Sequence, residues 1–129
     1  MTAADILTHD DSAHTEELVR HLTHLLRCPG SPTHARADLD RADTTFSRLD
    51  RMLRRGRSLP SSWRIDPYAS DAEHSRITDL YDQVSEELRT LGDTNLSWRA
   101  LTRAGDRWGR LDTALRFGAP LPEPWWPSS

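Results

Sequence analysis

Five arginines between residues 48 and 57 form the densest group of side chains that could bind a second molecule. A guanidinium group presents its N–H donors in a planar fork, a geometry that matches carboxylates and phosphates. A solvated helix face is the alternative explanation for such a charge run. The sequence predicts a partner-binding surface made of Arg48, Arg51, Arg54, Arg55 and Arg57.

A second group with possible chemistry lies nearer the N-terminus. His14, Glu17, His21 and His24 fall at helical spacing, so one flank of a helix would carry all four. Zinc sites on helices use complete motifs such as HExxH, which this segment lacks. The pattern favours a solvated helix flank over a metal site.

Carboxylate pairs at helical spacing suggest magnesium chemistry as an alternative. All-helical, magnesium-dependent nucleotide pyrophosphohydrolases hold Mg²⁺ between inward-facing acidic residues in an ExxE and ExxD arrangement, which is not reproduced here. No GxSxG elbow or phosphate-binding GxxxxGK[ST] loop is present, and the single Cys28 favours packing over catalysis. We predict no catalytic residue, metal or cofactor. The pairs are Asp40 with Asp43, Asp79 with Asp82, and Glu86 with Glu87.

Length and composition favour one soluble domain, residues 1–129, with 36% hydrophobic residues and a formal net charge of −3. All 17 basic residues are arginine, and 20 acidic residues offset them, which argues against a general nucleic-acid binder. One cysteine cannot form an internal disulfide. The sequence contains no apolar run near the roughly 18 residues that cross a bilayer, and no signal-peptide pattern, so we expect a cytoplasmic protein without a membrane partner.

An internal repeat organises the elements that carry these residues. Sliding the chain by 62 positions aligns residues 39–63 with 101–125 at twelve identical positions. The same offset pairs Thr8–Asp11 with Ser70–Glu73, and the second of these segments reads as a capping box. The repeats are therefore predicted at residues 8–63 and 70–125, each beginning with a helix.

Each repeat is predicted to contain two helices because its apolar residues recur every three or four positions. In the second helix, Gly56 and Gly118 are predicted C-caps, after which Leu-Pro leaves in extended conformation. Trp63 and Trp125 then fold over the helix end. The apolar positions are Leu18, Leu22, Leu25 and Leu26, then Leu39, Ala42, Phe46, Leu49 and Leu53; their counterparts are Ile77, Leu80, Val84, Leu88 and Leu91, then Leu101, Ala104, Trp108, Leu111 and Leu115.

The predicted fold is all-α, with two tandem helical hairpins packed as a four-helix unit and each ending in a GxxLPxxW tail. Asp50 with Arg54, and Asp112 with Arg116, read as surface ion pairs of about 0.3 kcal/mol. The residues assigned to this structural motif are Leu49, Asp50, Gly56, Leu59, Pro60 and Trp63 with Leu111, Asp112, Gly118, Leu121, Pro122 and Trp125.

Two features occur in only one repeat. A feature that the fold needs should occur in both repeats, so these two are free to serve a partner. The arginine cluster is reduced in the second repeat to Arg110 and Arg116, and Trp126 takes the place of Arg64. An exposed tryptophan could close the fold, form a homodimer contact or anchor a partner. We predict that Trp126 joins the arginines in binding a partner.

The repeated signature [FW]-x-R-L-D-x-x-L-R-x-G-x-x-L-P-x-x-W resembles a motif in small helical proteins of actinobacteria and their phages. The resemblance covers about 18 residues per copy. The absence of lysine agrees with a GC-rich source. The resemblance implies a host or phage accessory protein and transfers no catalytic residue.

Together these patterns favour a non-enzymatic helical adaptor or regulator that binds another macromolecule, most simply a protein. Nucleic-acid binding through residues 48–57 and a small metal-dependent nucleotide hydrolase are the alternatives. Homodimerisation is compatible with the same surfaces.

Overall fold

The structure, a computed structural model, describes residues 3–27, 30–56 and 58–126, with side chains from residue 12 onward. These ranges contain four helices and no strand. The predicted all-α class is therefore confirmed. The helices are α1 (Ala3–Arg27), α2 (Ala35–Arg54), α3 (Asp71–Leu88) and α4 (Thr94–Arg116), with short 3-10 turns at Pro32–His34 and Glu123–Trp125.

The helices pack as two hairpins around a central pair. α1 lies against α2, and α3 lies against α4, while α2 and α4 contact each other between them. α1 also reaches α4, and α3 reaches α2. Exchanging α1 with α3 and α2 with α4 therefore leaves the pattern of contacts unchanged, as in a pseudo-two-fold arrangement.

The helix ends follow local chemistry, with one exception. The Ser70 hydroxyl accepts a hydrogen bond from the Glu73 N–H, and the Asp93 carboxylate accepts one from Leu96 N–H, so both side chains cap their helices. Gly56 and Gly118 have φ of 76° and 97°, a region that favours glycine. The predicted start of α1 at Thr8 is wrong because the helix begins at Ala3.

The core lies along the predicted apolar seam. The seam residues of α2 and α4 are all buried, as are their partners on α1 and α3 except Leu25, which is partly buried, and Leu91. Leu91 is 84% exposed because α3 ends at Leu88 and the chain has already left the helix. Phe46 and Trp108, at equivalent positions of the central pair, meet edge to face with ring centroids 6.3 Å apart.

Candidate partner-binding surface

The tryptophan that ends each half of the chain reaches the other half. The N-terminal half is residues 8–63 and the C-terminal half is residues 70–125. The Trp63 indole N–H donates to Asp112 Oδ1, and the Trp125 indole N–H donates to Asp50 Oδ1, both at 2.8 Å. The two indoles stack, with centroids 5.7 Å apart and planes 17° from parallel. Each tail therefore crosses the junction, whereas the sequence predicted that it would fold over its own helix end.

These hydrogen bonds change the role of the motif aspartates. Asp112 is only 7% exposed, and Arg116 Nε donates to its second oxygen at 3.1 Å. Arg54 Nε makes the matching 3.0 Å contact with Asp50. Both predicted pairs form, but the prediction that they lie at the surface was wrong for the carboxylates, which are largely buried and accept from an indole as well as from a guanidinium.

Tyr81 completes the network in one half only. Its hydroxyl donates to Asp50 Oδ1 at 2.6 Å and accepts from Arg54 Nη2 at 2.8 Å. Burial, together with the hydrogen bond to Asp50, raises the pKa of Tyr81 to about 12. The hydrogen bond to Tyr81 raises the pKa of Arg54, with Asp50 adding to the effect. Sequence reasoning missed Tyr81, whose counterpart 62 residues earlier is Val19.

Three of the predicted arginines lie on the outer side of α2. Arg48, Arg51 and Arg55 are exposed, and they follow one another at spacings of three and four, so they share one face. Within the described part of the chain, none of them has an ion pair or a hydrogen bond from its guanidinium group. We call these three residues the arginine stripe.

The other two predicted arginines do not belong to the stripe. Arg54 points to Asp50 and Tyr81, so its guanidinium is committed to the junction between the halves. Arg57 lies outside the described residues. The structure therefore brings together three of the five arginines that were predicted to bind a partner.

The positions on α4 that are equivalent to the outer row of α2 carry different types of side chain. The outer row of α2 carries four arginines, whereas the outer row of α4 carries two arginines, an aspartate, a threonine and a phenylalanine. All ten side chains are exposed. The rows are Arg41, Thr44, Arg48, Arg51 and Arg55 on α2, and Arg103, Asp106, Arg110, Thr113 and Phe117 on α4 and its C-cap.

Trp126 is only partly packed. Its indole N–H donates to the Leu121 carbonyl at 2.7 Å, and its ring meets His74 edge to face at 5.3 Å. The side chain remains 44% exposed. Trp126 thus contacts α3 and keeps an accessible aromatic surface.

The chain matches no family model, no curated protein and no solved structure.

The residues considered for metal chemistry are dispersed over the surface. His14, Glu17, His21 and His24 are all exposed on α1, and Asp40 is paired with Arg36. Within the described residues, no three His, Cys, Asp or Glu side chains come together so that they could hold a metal ion. Cys28 lies outside the described residues. None of the described helices is both long and apolar enough to span a membrane.

Proposed function

We propose that this protein is a non-catalytic helical adaptor that binds an acidic surface of another protein through the arginine stripe. The observation that supports this most directly is the contrast between neighbouring arginines. Arg54 is held by Asp50 and Tyr81, while Arg48, Arg51 and Arg55 are exposed and have no partner among the described residues. Arginine is enriched at protein interfaces, where its guanidinium group pairs with carboxylates of the partner.

The stripe is short and one-sided. Arg55 lies seven positions after Arg48, which places the ends about 10 Å apart along the helix axis. That length suits a few carboxylates on a partner surface better than the long run of phosphates in a duplex. The acidic balance of the whole chain, 20 acidic residues against 17 basic ones, also favours a protein partner over nucleic acid.

Trp126 is proposed as a second contact. Tryptophan is prominent among the residues that carry binding energy at interfaces, because its large ring loses few rotamers when it is covered. Its packing on His74 leaves nearly half of the side chain available. Covering that surface would add an apolar contribution to an interaction otherwise dominated by charge.

Affinity capture with matched charge variants tests the proposal. The tagged full-length chain is used to capture partners from lysate of its source, with and without nuclease, and compared with R48E/R51E/R55E. The control R20E/R89E/R99E makes the same change in net charge at three other exposed arginines that have no partner among the described residues. We expect one protein to be retained by the wild type and the control in both conditions, and to be lost with the stripe variant.

The other outcomes separate the alternatives. Enrichment that disappears with nuclease in the wild type supports nucleic-acid binding. Equal loss in both triple variants means that overall charge, and not the stripe, carries the interaction. A rise in salt should weaken binding through the stripe, because the screening length shortens as ionic strength increases and exposed charges attract each other less.

A further inference from the structure

The outer side of α4 forms a groove in the place where α2 carries the arginine stripe. The groove has a volume of about 750 Å³ and follows α4 from Gly105 to Ala114. Thr23 and Arg27 of α1 border it on one side, and Arg76 of α3 borders it on the other. We call this surface the α4 groove.

Two glycines account for its shape. A Cβ placed on Gly109 would have no atom within 4 Å, so the floor of the groove is open at that residue. A Cβ on Gly105 would lie 2.7 Å from the Leu26 carbonyl oxygen, so this glycine lets α1 approach α4. The equivalent residues on α2, Asp43 and Ser47, both carry side chains.

The groove is bordered by positive charge. Arg27 has no ion pair or hydrogen bond among the described residues. Arg110 shares its carboxylate partner, Asp106, with Arg107. Arg76 is held in place by two 3.0 Å hydrogen bonds to Glu73.

The one other carboxylate that lines the groove is already satisfied. Asp112 accepts from Trp63 and Arg116, so it offers no charge to a ligand. The unbalanced charge at the border is therefore positive. An apolar group continues the same face: Phe117, four residues after Thr113, is 84% exposed.

We propose that the α4 groove binds a short segment of a partner protein that presents small apolar side chains to Gly109 and carboxylates to Arg27 and Arg110. Thr113 lies eight positions after Gly105, a distance of about 12 Å along α4 and close to two turns of a docked helix. The absence of a side chain at Gly109 allows a close approach there, and the arginines at the border complement acidic flanks. This surface is separate from the arginine stripe, so the inference goes beyond the proposed function: an adaptor needs two surfaces, and this would be the second.

Selection from a random peptide library tests the inference. Displayed peptides of about twelve residues, roughly three helical turns, are selected against the full chain, and the enriched peptides are synthesised for fluorescence anisotropy. We expect them to combine Asp or Glu with apolar residues. Gly109→Leu fills the groove, and it should raise Kd by about tenfold or more, since filling a pocket removes its central contacts.

Matched variants locate the binding site. Ser47→Leu makes the same change at the equivalent position of α2, and it should leave Kd within about twofold, as should R48E/R51E/R55E. Arg27→Glu should weaken binding by about threefold to tenfold because it removes the unpaired charge. Leucine is a better helix former than glycine, so an unchanged or higher Tm of the Gly109→Leu chain shows that it has folded.

Three results would overturn the inference: no peptide enriched over an unrelated four-helix protein, enriched peptides that are basic, or acidic peptides whose affinity is unchanged by Gly109→Leu. Loss of affinity with R48E/R51E/R55E but not with Gly109→Leu would place the peptides on the stripe. That result would overturn the groove while leaving the proposed function intact.

Discussion

The two halves of the chain make matching tryptophan contacts where they meet and differ in chemistry where they face solvent. At the junction, Trp63 and Trp125 make the same 2.8 Å hydrogen bond to the aspartate of the opposite half, and the indoles stack on each other. On the outside, α2 presents the arginine stripe and α4 presents a groove floored by glycine.

This contrast separates the demands of folding from those of binding. The contacts that hold the halves together use the same residue types in both directions, Trp63 with Asp112 and Trp125 with Asp50. An outer row has no such requirement, because its side chains are exposed to solvent. The residues that differ between equivalent outer positions are therefore the ones to examine for function, and those that agree are the ones to examine for stability.

Removing either exchanged tryptophan should have the largest effect. Trp63→Ala and Trp125→Ala should each lower the free energy of unfolding by about 3–5 kcal/mol, because each deletes a buried ring and leaves a buried carboxylate short of a donor. Urea denaturation measures both. Trp126→Ala is the control, with an expected loss of about 1 kcal/mol or less, since the ring is partly exposed. If Trp125→Ala were as mild as that control, the halves would not be equivalent at the junction.

Adding one methyl group at two glycines of α4 should give effects of opposite sign. Gly105→Ala should destabilise by about 1–3 kcal/mol, because its Cβ would meet the backbone carbonyl of Leu26 and α1 would have to shift. Gly109→Ala should stabilise by about 0.5–1 kcal/mol, because its Cβ meets nothing and alanine favours the helix. Thermal unfolding of the two variants is the measurement. A stabilising Gly105→Ala would contradict the close approach of α1.

Tyr81 occurs on one side of the junction only. It should make the free energy of unfolding depend on pH. Because its pKa is raised to about 12 in the folded chain, the unfolded chain loses the phenolic proton first as pH rises above 10. The free energy of unfolding should therefore fall between pH 10 and pH 12. Tyr81→Phe should cost about 1 kcal/mol at pH 7 and should flatten that fall. Chemical denaturation of both proteins across this range is the test, and an equally steep decline in Tyr81→Phe would exclude Tyr81 as its source.

The smallest of the expected effects is the difference in stability between substitutions of two adjacent arginines, Arg54 and Arg55. Arg54→Gln should destabilise by about 1 kcal/mol, because it removes donors from Asp50 and Tyr81. Arg55→Gln should stay within about 0.5 kcal/mol, since its guanidinium has no partner among the described residues. Equal costs in urea denaturation would mean that the stripe also supports the fold.

Local patterns missed the start of α1 at Ala3 and the end of α3 at Leu88, but they predicted the helices themselves and the positive-φ glycines, because these signals act over a few residues. Gly56 and Gly118 are examples. The partners of Trp63 and Trp125 could not be found in this way, since either tail could have covered its own helix. The buried role of Asp50 could not be found either, because its spacing from Arg54 already accounted for it as half of a surface ion pair. Tyr81 was missed because the residue 62 positions earlier is not a tyrosine.

Of the candidate surfaces, the sequence predicted the arginine run but not the α4 groove, and the reason is related. An arginine run is visible in sequence, but only the structure separates Arg54, which is committed to packing, from its exposed neighbours. The α4 groove depends on Gly109, which leaves space open, and on Gly105, which lets α1 approach α4. Two glycines one turn apart in a helix, each costing about 1 kcal/mol relative to alanine, were the available signal.

The exchanged tryptophans make each half a receptor for the tail of the other. As separate chains, the halves would have to find each other in solution before either indole could be covered, and their stability would then depend on protein concentration. The segment from residue 64 to residue 69 replaces that encounter with an effective local concentration of the order of millimolar. A short covalent tether thus converts a bimolecular assembly into a unimolecular fold.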